Sequence, residues 1–215
     1  MKIISLNTWG GKYFDPLIKF ITDSQKDTDI FLFQEIYDTA SEVKKYKDLV
    51  RANLLQELRK ALKEYRLFYF PVMFKFAQKE VVDFDLKFGQ AIFIKKSVRI
   101  AAYKQYYIFK GTGGHPGKDY SNLSTPLQKI QFSIEEKIFS VFNFHGTPAP
   151  GHKMDTPRRI TQSKKVKKFL DKAKGSKILV GDFNLSAVTK SIKMYEEDMV
   201  NLIKEYNVEK TRSKL

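Results

Sequence analysis

Four apolar runs of strand length each finish on a polar side chain that the run does not need, and this repeated ending constrains the fold more than any other feature of the chain. Ile3, Ile4 and Leu6 lead to Asn7. Ile30 to Phe33 leads through Gln34 to Glu35. The run from Lys137 to Phe144 leads to His145, and Ile178-Leu179-Val180 leads through Gly181 to Asp182 and Asn184. Each ending alone has an ordinary explanation. Asn and Asp after a strand commonly close turns on their own backbone, a Glu can simply reach solvent, and an isolated His is more often packing or surface than chemistry. Strand ends from packed sheets converge on one edge, however, so these side chains together can share one pocket.

The remaining pattern fills in the architecture. Phe14, Leu17, Ile18 and Ile21 fall at i, i+3, i+4 and i+7, the apolar stripe of a short helix. Val43, Tyr46, Val50, Leu54, Leu58 and Leu62 predict a long helix over 41–64. Strands are expected over 66–76, 88–94 and 98–109, with Gly89-Gln90-Ala91 as a point of close backbone approach. A Gly-rich loop over 111–124 precedes a hairpin of 127–134 and 137–144 turning at Glu135-Glu136. Thr156-Pro157 reads as the N-cap and first position of a helix whose stripe is Val166, Phe169, Leu170 and Ala173. The tail from Lys190 reads as helical and then irregular. With no internal repeat or linker, residues 1–215 predict one α+β domain of two packed sheets with helices outside.

Composition narrows the class. Cysteine is absent, which excludes a disulfide framework and any thiolate metal site. The N-terminus lacks the long apolar region and cleavage site of a signal peptide, and no apolar run is long enough to span a bilayer, so a cytoplasmic protein is expected. Lys and Arg number 39 against 24 Asp and Glu, a net charge of +15. That excess suits a polyanionic partner: nucleic acid, anionic lipid or a phosphorylated metabolite. The lysines are scattered along the chain, so the charge does not choose among these. The cluster Lys164-Lys165 and Lys167-Lys168 reads as a solvated helix face.

One chemistry that these strand-end residues suit, if they share a pocket, is metal-assisted attack of water on a phosphodiester. A hard divalent cation takes a few oxygen ligands and keeps several waters, which Glu35 helped by Asn7 can supply. A phosphodiester then needs a water activated on one side and charge stabilised on the other. Asp182 can orient or deprotonate the water, Asn184 can hold Asp182 or a phosphoryl oxygen, and His145 can donate to the non-bridging oxygens or the leaving group.

In order, ISLNTW, FLFQEIY, FGQAIF, VFNFHGTPAPG and ILVGDFNLS resemble the endonuclease/exonuclease/phosphatase superfamily over essentially the whole chain. GDFN after an apolar strand is the specific signal; the others gain weight from order and spacing. The resemblance implies a four-layer α/β/β/α sandwich of two mixed sheets with the site at one rim. It implies Asn7 and Glu35 on the side of a Mg²⁺ or Mn²⁺ ion, His145 on the phosphate side, and Asp182 with Asn184 as the water-orienting pair, while Phe183 points back into the core. Asn143 from the same motif, together with Arg158 and Arg159 near the start of the following helix, would bind substrate. The two arginines stand against the helix dipole, and a solvated pair is the other reading of them.

One departure matters. The superfamily's centre normally finishes with a Ser-Asp-His motif on a C-terminal strand, and no Asp-His dipeptide occurs here. The chain is therefore expected to be a fragment lacking the C-terminal strands. His115 and His152, in Gly/Pro-rich loops, read as exposed loop residues rather than substitutes. Trp9 reads as core, with the pocket border as the alternative. Tyr103, Tyr106 and Tyr107 read as a strand face, with base stacking as the alternative. Two functions stand at this point: a metal-dependent phosphoester hydrolase acting on nucleic acid or on phosphorylated lipid or sugar, and a non-catalytic module that binds a polyanion.

Overall fold

The computed structural model describes residues 1–48, 50–111 and 120–212; His115 lies outside them. In chain order the elements are β1 (Ile3–Asn7), α1 (Phe14–Ser24), β2 (Ile30–Asp38), α2 (Leu54–Ala61), β3 (Tyr65–Phe74), the short hairpin strands β4 (Phe76–Ala77) and β5 (Glu80–Val81), β6 (Lys87–Lys95), β7 (Ile100–Phe109), β8 (Thr125–Ile134), β9 (Lys137–His145), α3 (Pro157–Asp171), β10 (Ser176–Asp182), α4 (Lys190–Lys193) and α5 (Leu202–Glu205).

Two four-stranded sheets form, ordered β1-β2-β6-β3 and β10-β9-β8-β7. Each has one parallel pair at its edge, β1 with β2 and β9 with β10, and antiparallel pairs elsewhere. A parallel pair needs a crossover, and α1 and α3 provide them. β2 is apolar on both faces because both are covered. Ile30 and Leu32 pack with Ile92, Ile94, Ile130, Phe132 and Val141 between the sheets. Phe31 and Phe33 face outward onto Ile21, Leu54, Leu58 and Leu62 of the first helical layer. On the far side Leu127, Phe142 and Phe144 pack under Val166 and Leu170 of α3. The result is the α/β/β/α sandwich that the resemblance implies, and no helix of the described residues is long and apolar enough to cross a membrane.

The expected helix over 41–64 is wrong for its first half. Only Leu54–Ala61 is helical; Tyr46 and Val50 instead form an antiparallel bridge around left-handed Lys47. The apolar residues of this stretch serve two targets. Leu54, Leu58 and Leu62 pack on the first sheet, whereas Val43, Tyr46 and Val50 join a separate cluster with Tyr37, Phe70 and Met73. One straight helix cannot reach both, so tertiary packing overrides local propensity.

Gly89 carries the close approach that its neighbourhood predicts: a Cβ there would lie 2.0 Å from the Phe70 carbonyl oxygen. The hairpin turn at Glu135-Glu136 has both residues at positive φ, 46° and 64°, the twist-matched turn of a tight two-residue hairpin. Thr156 caps α3 by accepting from the Arg159 N–H at 3.2 Å.

Candidate active site

The C-terminal ends of β1, β2, β9 and β10 meet at one rim, and the structure brings Asn7, Glu35, His145, Asp182 and Asn184 together there. Asn7 is the hinge of the arrangement. Its Nδ2 donates to Glu35 Oε1 at 2.8 Å and to Asp182 Oδ2 at 2.9 Å, joining residues from both sheets. Its Oδ1 accepts from the Trp9 N–H at 2.9 Å. These three partners fix the orientation of the carboxamide, because two carboxylates can only accept and an N–H can only donate. Asn7 therefore turns its nitrogen to the carboxylates and positions both of them, while its Oδ1, which accepts from the Trp9 N–H, keeps a second lone pair.

Glu35 reaches the rim through a β-bulge. Between the pairs Phe33↔Ala91 and Ile36↔Gly89, Gln34 and Glu35 face only Gln90, and Glu35 takes φ 60°. A regular strand would alternate through this point; the extra residue re-aims the side chain. The Thr8 hydroxyl holds the bulge by reaching the carbonyls of Gln34 and Glu35, each at 3.0 Å. The Glu35 side chain keeps 27% of its surface exposed, and His145 Nε2 lies 3.8 Å from Glu35 Oε1.

Asp182 is the register partner of His145 on β9. Gly181, at φ 139°, lets β10 approach so closely that a Cβ would sit 1.9 Å from the Phe144 carbonyl oxygen. Beyond it Asn184 adopts the left-handed conformation, φ 53°, which Asn tolerates. Its backbone N–H donates to Asp182 Oδ1 at 2.9 Å and its Nδ2 to the Gly146 carbonyl at 3.0 Å. Phe183 turns back onto Phe144 and Tyr195, as expected. Burial pushes the Asp182 carboxyl up, but His145, the Asn7 amide, the Asn184 N–H and Lys153 outweigh it and hold the group below its ordinary value. The Asp182 carboxylate is thus ionised at neutral pH.

Two of the predicted substrate ligands are placed elsewhere. Asn143 is fully buried between the sheets. It accepts from Gln34 Nε2 at 2.6 Å and donates to Gln128 Oε1 at 3.0 Å and the Phe33 carbonyl at 3.3 Å, while Gln90 bonds its backbone oxygen. It belongs to an amide layer that joins the sheets, not to the cleft. Arg159 is 1% exposed and spends its guanidinium on the carbonyls of Thr147, Pro148, Pro150, His152 and Met154. Its work is to fold that loop. Arg158 donates to the Ser121 carbonyl and lies 4.4 Å over the Phe109 ring.

Trp9, expected in the core, is 45% exposed and borders the cleft. With Glu35, Tyr37, Phe88, Tyr120 and His145 it lines a hollow of about 170 Å³ beside the carboxylates. The three tyrosines of β7 take the strand-face reading: Tyr103 packs on Phe68, Tyr106 on Phe169 and Tyr107 on Phe70. His152 is exposed.

Lys153 is the site residue that the sequence does not reveal. Its Nζ donates to Asn184 Oδ1. One lysine in a loop carries no signal in a chain with 39 Lys and Arg; only the fold of 147–155 brings it here.

The donor set fits a hard cation with few protein ligands. Glu35 offers a partly exposed carboxylate at the rim and Asp182 stands across Asn7 from it, but among the described residues no three or more His, Asp or Glu side chains are arranged to hold a metal ion on their own. Mg²⁺ is commonly bound through one or two carboxylates with waters and substrate phosphate completing its shell.

No family model matches the sequence, and no curated protein matches it. Solved structures do. A mannosyl-6-phosphatase of Bacteroides thetaiotaomicron matches 91% of this chain and 69% of its own at 20% identity, with a TM-score of 0.57. An endonuclease/exonuclease/phosphatase family protein of Leptotrichia buccalis matches 95% of this chain and 72% of its own at 20% identity and TM-score 0.57. TDP2 of D. rerio, complexed with a single strand DNA product, matches 86% of this chain and 60% of its own at 16% identity and TM-score 0.55. The chain has the fold of the endonuclease/exonuclease/phosphatase superfamily.

Proposed function

We propose that this chain is a metal-dependent phosphoester hydrolase, with nucleic acid as the favoured substrate. The observation that carries the reading is the Asn7 amide, which bonds Glu35 of one sheet and Asp182 of the other and so gathers two carboxylates and His145 around one rim. Glu35 would hold Mg²⁺ or Mn²⁺. Such an ion, when bound, neutralises phosphoryl charge and activates water.

The chain's own residues do the rest. Asp182, ionised and held by Asn7 and the Asn184 N–H, accepts a hydrogen bond from the attacking water and orients it in line with the phosphorus. His145, beside Glu35, donates to a non-bridging oxygen as negative charge builds there. Asn7 keeps the carboxylates apart and aimed. The net charge of +15 favours a polyanion, and the aromatic rings of Trp9 and Tyr120 at the hollow suit a flat base next to the phosphate. Sugar phosphates and phospholipids use the same chemistry, and fold alone does not choose among them; the neighbours' names span a sugar phosphatase and a protein solved with DNA.

The test is hydrolysis of plasmid DNA and of bis-aryl phosphate with Mg²⁺ or Mn²⁺. EDTA should abolish it and Asp182→Ala should lower it by at least about a hundredfold, the scale of losing a group that acts on the reacting centre. No turnover on a panel of phosphoesters would end this reading. The same charge favours a second one, a module that only binds polyanions; its mark is salt-sensitive DNA affinity that survives Asp182→Ala.

A further inference from the structure

The loop over 147–155 has no regular secondary structure, yet it is fastened at several points. Arg159 holds its carbonyls from within. Asp155 at its end accepts from the backbone N–H groups of Lys190 and Ser191, at 2.7 and 3.1 Å, and from the Ser191 hydroxyl at 2.6 Å. The Lys153 carbonyl accepts from the Ser186 N–H at 2.7 Å. Lys153 is thereby presented from a fixed backbone, the condition for a side chain that must meet a ligand in one place.

Its ammonium makes one hydrogen bond, to the neutral carboxamide oxygen of Asn184, and carries more donors than this contact uses. None of the ion pairs among the described residues includes Lys153. Burial, the largest influence, draws its pKa down; Asp182 and Glu35 oppose that, while Arg159 and Arg212 add to it. A half-buried cation that its own chain leaves without a salt-bridge partner is costly unless an anion arrives.

We infer that Lys153 binds the phosphoryl oxygens of the substrate beside Asp182 and Asn184, so that the phosphate lies between this ammonium and the His145 imidazole. The inference rests on the phosphoester reading for its catalytic meaning, but not for its binding test. Lys153 supplies positive charge on the Asp182 side of the centre, and its bond to Asn184 aligns the turn that holds the water-orienting carboxylate. A lysine point charge suits this task, since it can follow the oxygens as the phosphorus inverts without the fixed fork of an arginine.

The experiment measures inorganic phosphate binding by calorimetry, and hydrolysis kinetics on plasmid, for the full chain and for Lys153→Met, Lys153→Gln and Lys153→Arg, each checked by thermal melt. Losing one charge-assisted bond should weaken phosphate binding about ten- to a hundredfold in the Met and Gln variants. Arg should restore most of it, and the melts should stay within a few degrees of the parent. Phosphate affinity unchanged in both Met and Gln variants would overturn the inference, as would a loss of thermal stability with affinity intact, the mark of a purely structural tie. Active parent protein with unchanged variants refutes Lys153 alone; inactive parent protein that still loses phosphate binding in the variants refutes the hydrolase reading alone.

Discussion

Replacing Asn143 by Leu should cost about 2–4 kcal/mol of stability while leaving the cleft intact. The substitution roughly keeps shape and removes only the carboxamide. Gln128 Oε1 loses the Asn143 donor at 3.0 Å, and Gln34 Nε2 loses an acceptor at 2.6 Å, though it keeps the Leu32 carbonyl at 3.2 Å. Asn143 and Gln128 are 0% exposed and Gln34 is 1% exposed, so water cannot take the missing places without opening the sheets. A buried group left without a partner costs about 1–3 kcal/mol. One such penalty in full for Gln128 and another in part for Gln34 give the stated range. For a chain of this size that is a fall of about 4–16 °C in the melting midpoint. Urea unfolding followed by far-UV circular dichroism reads the free energy directly. A loss below about 0.5 kcal/mol, or turnover that collapses with the unfolding midpoint untouched, would refute the structural role and return Asn143 to the substrate.

Further outcomes test other parts of the structure. Gly89→Ala sets a Cβ 2.0 Å from the Phe70 carbonyl oxygen; at least about 3 kcal/mol of destabilisation, or failure to fold, is expected, and a soluble variant melting like the parent would contradict the strand register. Thr8→Val removes the hydroxyl that reaches both bulge carbonyls; turnover should fall more than stability does, and the reverse order in activity and melting assays would contradict the bulge's role in aiming Glu35. Asp155 has a carboxyl held below its ordinary value of 3.8: burial raises it, but the Ser191 hydroxyl and the N–H groups of Lys190 and Ser191 outweigh that. A depressed folded-state pKa stabilises above the unfolded value and is lost as pH falls through the folded one. Asp155→Asn should therefore melt lower than the parent at neutral pH and converge with it below about pH 4, and a constant gap in melts across that range would refute the assignment.

Much of the sandwich was legible because its signals are local. Apolar runs marked β2, β6 and β9, Thr156-Pro157 marked the start of α3, and the i, i+3, i+4, i+7 stripe marked α1. The strand-end residues were legible for a related reason: a polar group closing a buried run is conspicuous against its background. What could not be read depends on distance in the chain. Residues 41–53 carry a helical spacing, but their targets lie in a second cluster that the sequence does not display. Asn143 and Arg159 look like ligands because polar residues near a motif usually face solvent; their burial follows from Gln34, Gln128 and the loop carbonyls, which meet them only in the fold. Lys153 was hidden by the abundance of its own kind.

The site also shows why regular strands alone could not have built it. Each sheet brings one carboxylate to the rim, and each does so through a local break in β geometry. In the first sheet the break is the Gln34-Glu35 bulge, with Glu35 at φ 60°. In the second it is Gly181 at φ 139°, followed by Asn184 at φ 53°. Residues in such conformations persist only where their surroundings over-determine them. Here the Thr8 hydroxyl fixes the first break and Asn184's own bonds to Asp182 and Gly146 fix the second. Asn7 then ties the two together through a single nitrogen. The separation of the carboxylates is therefore set by backbone irregularities clamped from both sheets and by the Asn7 amide that bridges them, which is the preorganisation that the proposed hydrolase chemistry calls for.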